Sequence, residues 1–258
     1  MTALFTDSVV LVTGGSSGIG RATALAFARE GAKLAVVASS DITRAEAVAD
    51  EIGAEGGTAL ALVADVTNVS SIGRMVSAVT DEYGYIDILV NAAGVFYATA
   101  VGETSEEAYD QTFDVNVRGL FFTVGAVAPI MKRRRRGKII NLASIAGVHG
   151  SKGFSIYSAS KAAVIMLTRT LALELAPFDI NVNAIAPGNT ATPINEDVRT
   201  QPEFAERRAK FAATTPSNHV FSEAEEIAGA ALFLASPASR PMHGSVLLMD
   251  EGRSAGFN

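Results

Sequence analysis

Short apolar runs alternate along the chain with longer segments in which apolar residues recur every three or four positions. The runs lie at 9–12, 34–37, 59–63, 86–90, 139–142, 182–185 and 246–249. Most are apolar at consecutive positions, which is typical of strands covered on both faces. The helical spacing predicts helices at 18–30, 43–52, 70–83, 105–131, 155–175 and 223–235. This order predicts an α/β fold with a doubly wound parallel β-sheet of about seven strands, flanked by helices.

Residues 193–221 interrupt this alternation just before the last predicted helix. The stretch is polar and contains Pro193, Pro202 and Pro216. Because binding segments are commonly loops set on a rigid scaffold, we interpret it as a helical lid over a substrate site; a separate small domain is the alternative. No linker, repeat or low-complexity segment divides the rest of the sequence, so a single domain over residues 1–258 is predicted.

Composition and charge narrow the possible functions. The net charge of −6 disfavours nucleic acid as a partner, because phosphate binding needs a basic face. The chain has no cysteine, which excludes disulfides and thiolate chemistry, and its three histidines are far apart in sequence, so no metal site is predicted. No signal peptide is visible, and no stretch has the roughly 18 uncharged apolar residues of a membrane span. A cytoplasmic enzyme without a membrane partner is therefore expected.

A glycine-rich loop follows the first predicted strand directly and leads into the first predicted helix. From Thr13 to Gly20 it reads Thr-Gly-Gly-Ser-Ser-Gly-Ile-Gly. Glycines let the backbone approach a pyrophosphate, and the free N–H groups and dipole of a helix N-terminus favour its negative charge. A tight strand-to-helix connection without a ligand is the alternative. The position of the loop between strand and helix favours a nucleotide site.

Four further predicted strands end in small or polar residues, at 64–66, 91–94, 143–144 and 187–192. In an open parallel sheet, ligands bind in the crevice beyond the carboxyl ends of the strands. Any one of these segments could simply terminate its strand. Because all four converge on the edge that carries the glycine loop, the sequence predicts one shared site there.

Tyr157 and Lys161 lie four residues apart at the start of a predicted helix, which places them on one face. The ordinary pKa of a tyrosine, about 10, is too high for a base at neutral pH. A neighbouring ammonium would stabilise the phenolate, lower that pKa and let Tyr157 give or take a proton. Ser144, at the end of the fifth predicted strand, would hold the substrate oxygen. A surface pair on a helix is the alternative interpretation of the Tyr157–Lys161 spacing.

Together these motifs resemble those of the short-chain dehydrogenase/reductase family over nearly the whole chain. The matching segments, in order, are 13–20, 91–94, Asn116, Ser144, 157–161 and 187–188. The resemblance implies a single Rossmann-like domain and hydride transfer between NAD(P) and a carbonyl or secondary alcohol, as in 3-oxoacyl-carrier-protein reductases. It also implies a homo-oligomer, because relatives are often tetramers.

The resemblance assigns four catalytic residues, Asn116, Ser144, Tyr157 and Lys161. Tyr157 would be the general acid/base, and Ser144 would orient the substrate oxygen. Lys161 would lower the pKa of Tyr157 and bind the nicotinamide ribose, and Asn116 would hold a water that links Lys161 to solvent. The residues expected to bind the cofactor are Gly14, Ser16, Ser17, Gly18, Ile19, Gly20, Ser39, Ser40, Asp65, Val66, Asn91, Ala92, Ala93, Gly94, Tyr157, Lys161, Pro187, Gly188, Thr190 and Thr192. Among these, Asp65 would contact the adenine ring.

The end of the second predicted strand bears on the choice between NADP and NAD. An acidic residue there would bond the ribose hydroxyls of NAD and repel the extra phosphate of NADP. By the resemblance, Ala38 occupies the position of that acid, so the NAD determinant is absent. The hydroxyls of Ser39 and Ser40, with Arg44 at the next helix, would receive the 2′-phosphate. NADP is therefore favoured, and NAD stays open.

Several alternatives remain open from the sequence. The basic residues 132–136 either complement the dipole of a helix C-terminus in solvent or bind an anionic partner. His149, Phe96 and Tyr97 either border the substrate or lie in ordinary packing and surface positions. Two other functions are a nucleotide-binding sensor or scaffold without turnover, and a lyase or epimerase that uses its cofactor transiently. The intact set of four catalytic residues argues against the sensor.

Overall fold

The computed structural model describes residues 3–256, and seven parallel strands form its central sheet. These strands are β1 Val9–Thr13, β2 Lys33–Ala38, β3 Thr58–Val63, β4 Ile88–Asn91, β5 Gly137–Leu142, β6 Ile180–Pro187 and β9 Val246–Met249. Two short strands, β7 Thr190–Ala191 and β8 Ser222–Glu223, pair with each other outside it. The order across the sheet is β3-β2-β1-β4-β5-β6-β9, which reverses direction between β1 and β4. The prediction of a seven-stranded, doubly wound parallel sheet is confirmed.

Helices cover both faces of the sheet. They are α1 Gly18–Arg29, α2 Ile42–Ala54, α3 Val69–Tyr83, α4 Glu106–Phe113, α5 Leu120–Arg134, α6 Ser155–Leu175, α7 Glu196–Thr200, α8 Ala205–Ala213 and α9 Ala224–Ala235. One hydrophobic cluster joins α3, α5 and α6 to the sheet, and a second joins α1, α2 and α9 to its other face.

Alternate residues of the inner strands serve these two clusters. In β1, Val9 and Leu11 belong to the cluster with α3, α5 and α6, whereas Val10 and Val12 belong to the other. All four are fully buried, which explains why the strand is apolar at every position. The two edge strands, β3 and β9, differ from the expectation of coverage on both faces, because their side chains are mostly half-buried. Val63 of β3, for instance, is 41% exposed.

The helix predicted at 105–131 is interrupted in the structure. Between α4 and α5, the turn Asp114–Gly119 is a π-helix, which holds one more residue per turn than an α-helix. A Cβ at Gly119 would lie 2.9 Å from the Val66 carbonyl oxygen, so the residue there must be a glycine for the helix to pass so close to the strand end. The bulge carries Asn116, and π turns of this kind recur at functional positions.

The combined helical run Glu106–Arg134 is long and apolar enough to cross a membrane when judged by length and composition, with a mean hydropathy of 1.2 in its most apolar part. In this structure it packs against α3 and α6, and its inner side joins the hydrophobic core. A core helix that covers a sheet passes the same test, so the run is weak evidence for a membrane span.

Two arginines of the basic run 132–136 pair with a buried acid, Asp87. Arg136 Nε lies 3.7 Å from Asp87 Oδ1, and Arg134 makes the shorter contact. Arg134 Nη1 donates to Asp87 Oδ1 at 3.0 Å, and the Arg134 guanidinium stacks on Tyr85 with 3.8 Å between Cζ and the ring centroid. Asp87 is 4% exposed, and its other carboxylate oxygen accepts from the Val9 N–H at 3.1 Å. The end of α5 is thereby tied to the start of β1.

We expect Asp87→Ala to lower the free energy of unfolding by about 2–4 kcal/mol, because it leaves the buried Val9 N–H and the Arg134 guanidinium without an acceptor. Urea unfolding measures this loss. The matched control is Asp179→Asn, which removes an exposed charge 3.6 Å from Arg135. It keeps a residue type that tolerates the left-handed backbone at this position, φ +57°, and should cost about 0–0.5 kcal/mol. Equal losses in the two variants would contradict a structural role for the buried pair.

Candidate active site

A cavity of ≈1480 Å³ lies beyond the carboxyl ends of the strands, and residues that end or follow β1 to β6 line it. Pockets that bind drug-sized ligands measure about 300–1,000 Å³. The cavity therefore has room for a dinucleotide and a second, smaller molecule. The point where the strand order reverses, between β1 and β4, opens into it, as the rule for open α/β sheets leads one to expect.

The glycine loop forms one wall of the cavity and begins α1. Gly14 has φ +65° and Gly18 has φ +52°, a backbone conformation that other residues rarely adopt. A Cβ at Gly20 would lie 2.2 Å from the Gly14 carbonyl oxygen, so the loop folds back on itself as only glycine permits. Ser17 begins α1 without a side-chain cap among the described residues. The first-turn N–H groups of α1 are thus left for an anion such as a pyrophosphate.

Tyr157 and Lys161 lie on consecutive turns at the start of α6, and both line the cavity. Lys161 Nζ donates to the Leu142 carbonyl oxygen at 2.8 Å and lies 5.8 Å from the centroid of the Tyr157 ring. Ser144 lines the same cavity just after β5, and its hydroxyl accepts from the Ala146 N–H at 3.1 Å. The three side chains predicted from motif spacing therefore come together at one wall.

Close packing fixes the turn after β5 against α6. A Cβ at Gly147 would lie 2.5 Å from the Lys161 backbone carbonyl carbon, so the glycine lets the turn rest directly on the helix. Ser144 begins the same turn, so this contact also fixes its position relative to Tyr157 on α6.

Burial shifts the pKa values of the two titratable groups. The pKa of Tyr157 is raised because the protein around its hydroxyl disfavours the phenolate, and a hydrogen bond with Ser144 opposes this only in part. Burial of the Lys161 ammonium lowers its pKa to about 8. The direction at Tyr157 is opposite to the lowering expected from the sequence. At Tyr157 the effect of burial is larger than that of the hydrogen bond with Ser144. The Lys161 ammonium donates to the Leu142 carbonyl oxygen.

Two of the predicted site residues lie behind the cavity wall. Asn116 Oδ1 accepts from the Val95 N–H at 2.9 Å, and its Nδ2 donates to the Val95 carbonyl oxygen at 3.0 Å and to Ser160 Oγ at 3.1 Å. Its polar atoms thus hold the segment after β4 against α6. Asn91 Nδ2 donates to Asn141 Oδ1 at 2.9 Å within the sheet. Neither residue lines the cavity, because each is turned into the protein.

All other residues predicted to bind the cofactor line the cavity. Their chemistry fits a dinucleotide. Thr190 Oγ1 is buried and has no hydrogen-bond partner among residues 3–256, so it is a polar atom open to a ligand amide. Asp65 lines the wall with one carboxylate oxygen engaged by the Thr67 N–H and hydroxyl.

Several residues of the wall were not named individually from the sequence. Among them, Val198, Arg207, Phe211 and Arg253 all line the cavity. The first three lie on the helices of the predicted lid 193–221, and Arg253 follows β9. No local motif marks them, because their position depends on how the helical segment and the chain after β9 fold over the sheet edge.

Comparison with known proteins agrees with this geometry. The sequence model of the family described as short chain dehydrogenase matches residues 8–203. The 3-oxoacyl-[acyl-carrier-protein] reductase of Synechocystis sp. is 39% identical over 253 residues, which is 98% of each chain. Galactitol 2-dehydrogenase of Agrobacterium fabrum is 42% identical over 90% of this chain and 92% of its own. A crystal structure of a short-chain type dehydrogenase/reductase from Mycobacterium marinum matches with a TM-score of 0.91 at 36% identity, covering 99% of this chain and 98% of that one.

The chain belongs to the short-chain dehydrogenase/reductase family. It is an NAD(P)-dependent oxidoreductase that acts on an alcohol or carbonyl group, as the sequence predicted. The alternatives of a silent nucleotide sensor and of a lyase or epimerase find no support among these relatives, which are named as reductases and dehydrogenases.

Because Lys161 is buried, we expect the free energy of unfolding to depend on pH over a defined range. Its pKa of about 8 lies below the ordinary 10.5, so unfolding takes up a proton between these values and the wild type gains stability as pH rises from 8 to 10.5. Below pH 8 the full penalty, about 3 kcal/mol, is present. Lys161→Met removes the penalty but also the bond to Leu142, which contributes about 1–3 kcal/mol, so a net gain of about 0–2 kcal/mol is left near neutral pH.

Urea unfolding of wild type and Lys161→Met at about pH 7 and pH 10 measures this difference. The stability advantage of the variant should shrink at the higher pH. Lys210→Met, at an exposed position on α8, should show no such change and serves as the control. A variant that is less stable than wild type at neutral pH would contradict the buried-charge account.

Proposed function

We propose that Tyr157 is the general acid/base of this oxidoreductase. The observation that carries the proposal is the meeting of Tyr157, Lys161 and Ser144 at one wall of the cavity that the glycine loop also lines. When bound, the nicotinamide supplies or accepts the hydride. In reduction, the Tyr157 hydroxyl gives its proton to the substrate carbonyl oxygen as the carbon gains hydride, and in oxidation it takes the proton back.

The other three residues support this proton transfer. Ser144 donates to the substrate oxygen and holds it beside the phenol. Lys161 binds the ribose hydroxyls and supplies positive charge behind Tyr157. Asn116 is a positioning residue, because it holds Val95 and Ser160 rather than lining the cavity. The raised pKa keeps Tyr157 protonated at neutral pH, so the proton needed for reduction is already in place.

Tyr157→Phe should keep the cofactor affinity and lower turnover about 10²- to 10⁴-fold, because it removes only the proton donor. Nicotinamide fluorescence measures binding, and absorbance of the reduced cofactor measures turnover over a panel of ketones, oxoacyl esters and sugars. The control is Tyr109→Phe, at a tyrosine that is 45% exposed on α4. Near-full activity of Tyr157→Phe would rule out the proposed mechanism.

We further propose that NADP is the preferred cofactor. Ala38, Ser39, Ser40 and Arg44 line the cavity at the end of β2. The nearby Asp41 carboxylate accepts from the Thr43 N–H and hydroxyl at 3.0 and 2.7 Å, so it caps α2 instead of meeting a ribose. This leaves hydroxyls and a guanidinium for a 2′-phosphate.

Arg44→Gln should lower kcat/KM for NADPH about tenfold and change that for NADH less than about twofold, because only NADPH carries the phosphate that Arg44 would bind. Steady-state kinetics with both cofactors on one substrate measures the change. Arg74→Gln, at an exposed arginine on α3, is the control. A wild type with a strong preference for NADH would refute the proposal.

We propose one cofactor-binding domain over residues 1–258, in which 193–221 forms the substrate lid. Val198 and Phe211 of this segment line the cavity.

We also propose a homo-oligomer, a tetramer by analogy with relatives. Exposed apolar side chains on α5 and α6, which include Phe121 and Leu173, support it. A cytoplasmic location is proposed because nicotinamide nucleotides are charged and are retained there.

A further inference from the structure

Two arginines stand at the substrate side of the cavity without an anionic partner. Arg207 on α8 and Arg253 after β9 both line the cavity and are half-buried. Within residues 3–256, neither guanidinium donates a hydrogen bond to a side chain or carbonyl, and neither forms an ion pair within 4.0 Å. Half-buried arginines normally find a carboxylate or phosphate, since leaving the charge unpaired away from water is costly.

The other arginines of the lid show what a structural role looks like. Arg208 donates to the carbonyl oxygens of Val198 and Gln201, and Arg199 donates to Asn195 Oδ1. These guanidiniums hold the lid together. Arg207 and Arg253 make no such bond to any residue between 3 and 256, so within this part of the chain their N–H donors are open to a ligand.

The guanidiniums of Arg207 and Arg253 lie beside the same aromatic ring. The Cζ atoms of Arg207 and Arg253 each lie 5.5 Å from the centroid of the Phe211 ring. Burial lowers the pKa of Arg253, with the Asp250 charge opposing the shift. The Asp250 carboxylate accepts from the N–H groups of Gly252 and Ser254 and forms no ion pair with Arg253 within 4.0 Å.

An aromatic path connects this pair to the reacting centre. The Phe96 ring lies edge-on to Tyr157 at 4.7 Å between centroids and stacks on Phe154 at 4.6 Å. Arg207 Cζ lies 5.6 Å from the Phe154 ring. The glycine loop meets only the beginning of the lid, since a Cβ at Gly18 would lie 3.9 Å from Pro193 Cδ and 3.3 Å from the preceding Thr192. The arginines therefore belong to the substrate side and not to the pyrophosphate side.

We propose that Arg207 and Arg253 bind a carboxylate of the substrate, so that the enzyme acts on an oxo or hydroxy acid. The apolar stem of this acid lies along Phe96 and Phe154 and brings its carbonyl to Tyr157. The two guanidiniums select acids over neutral ketones through binding, and they act on KM more than on kcat. This inference rests on the proposed role of Tyr157 only for the position of the reacting carbon.

The test uses unbranched oxoalkanoates of increasing carbon number between carbonyl and carboxylate, each with its methyl ester. Calorimetry measures their binding to the protein loaded with NADP⁺ or NAD⁺, and steady-state kinetics measures their reduction. At the best length, the acid should bind and react at least about tenfold better than its ester. In Arg207→Gln/Arg253→Gln this preference should disappear, with esters changed less than about twofold. Arg207→Lys should retain part of the preference, because it keeps the charge.

Lys210→Gln is the matched control, because it removes an exposed charge from the same helix away from the cavity. Equal binding of acids and esters at every length, or equal losses for both in the double variant, would overturn the subsite. Tyr157→Phe separates this result from the catalytic proposal, since it should abolish reduction and retain the preferential binding of acids. A preference in binding without turnover by the wild type would support the subsite and contradict the catalytic role of Tyr157.

Discussion

The Lys161 ammonium is buried at the carboxyl edge of the sheet, where it donates to the Leu142 carbonyl oxygen of β5 at 2.8 Å. Burial is unfavourable for the charged ammonium, and it lowers the pKa of Lys161 to about 8. The fold maintains it by close contact, because Gly147 rests on the Lys161 backbone and Asn116 holds the segment after β4 against α6. Stability is thus given up locally to keep a positive charge beneath the Tyr157 ring.

The doubly wound sheet supplies the rest of the site from this one edge. Parallel strands all present their carboxyl ends there, so the glycine loop after β1, the turn after β5 and the segment after β6 face one cavity. The sheet therefore brings the glycine loop and the turn that carries Ser144 to one cavity. The lid and the chain after β9 complete the wall with Arg207 and Arg253, which form no ion pair among the described residues.

Much of this arrangement could be predicted from sequence because it depends on local spacing. Continuous apolar runs predicted the strands, and the Gly14–Gly20 loop and the Tyr157–Lys161 spacing predicted parts of the site that the structure brings together. Expectations failed where long-range packing decides. The π turn that carries Asn116 lies where Gly119 packs against Val66, and the pKa of Tyr157 is raised because burial outweighs its hydrogen bond with Ser144. Likewise, no local pattern around Arg207 or Arg253 indicates that both guanidiniums lie beside the Phe211 ring.

Titration of Lys161 is the most direct test of whether the site holds a buried positive charge beside Tyr157. NMR titration of the lysine side chains, with the Lys161 signal assigned by its absence in Lys161→Met, gives the pKa of this single group. A midpoint near pH 8 is predicted. A midpoint above about 10, the ordinary range for an exposed lysine, would show that the ammonium is hydrated and would contradict the account.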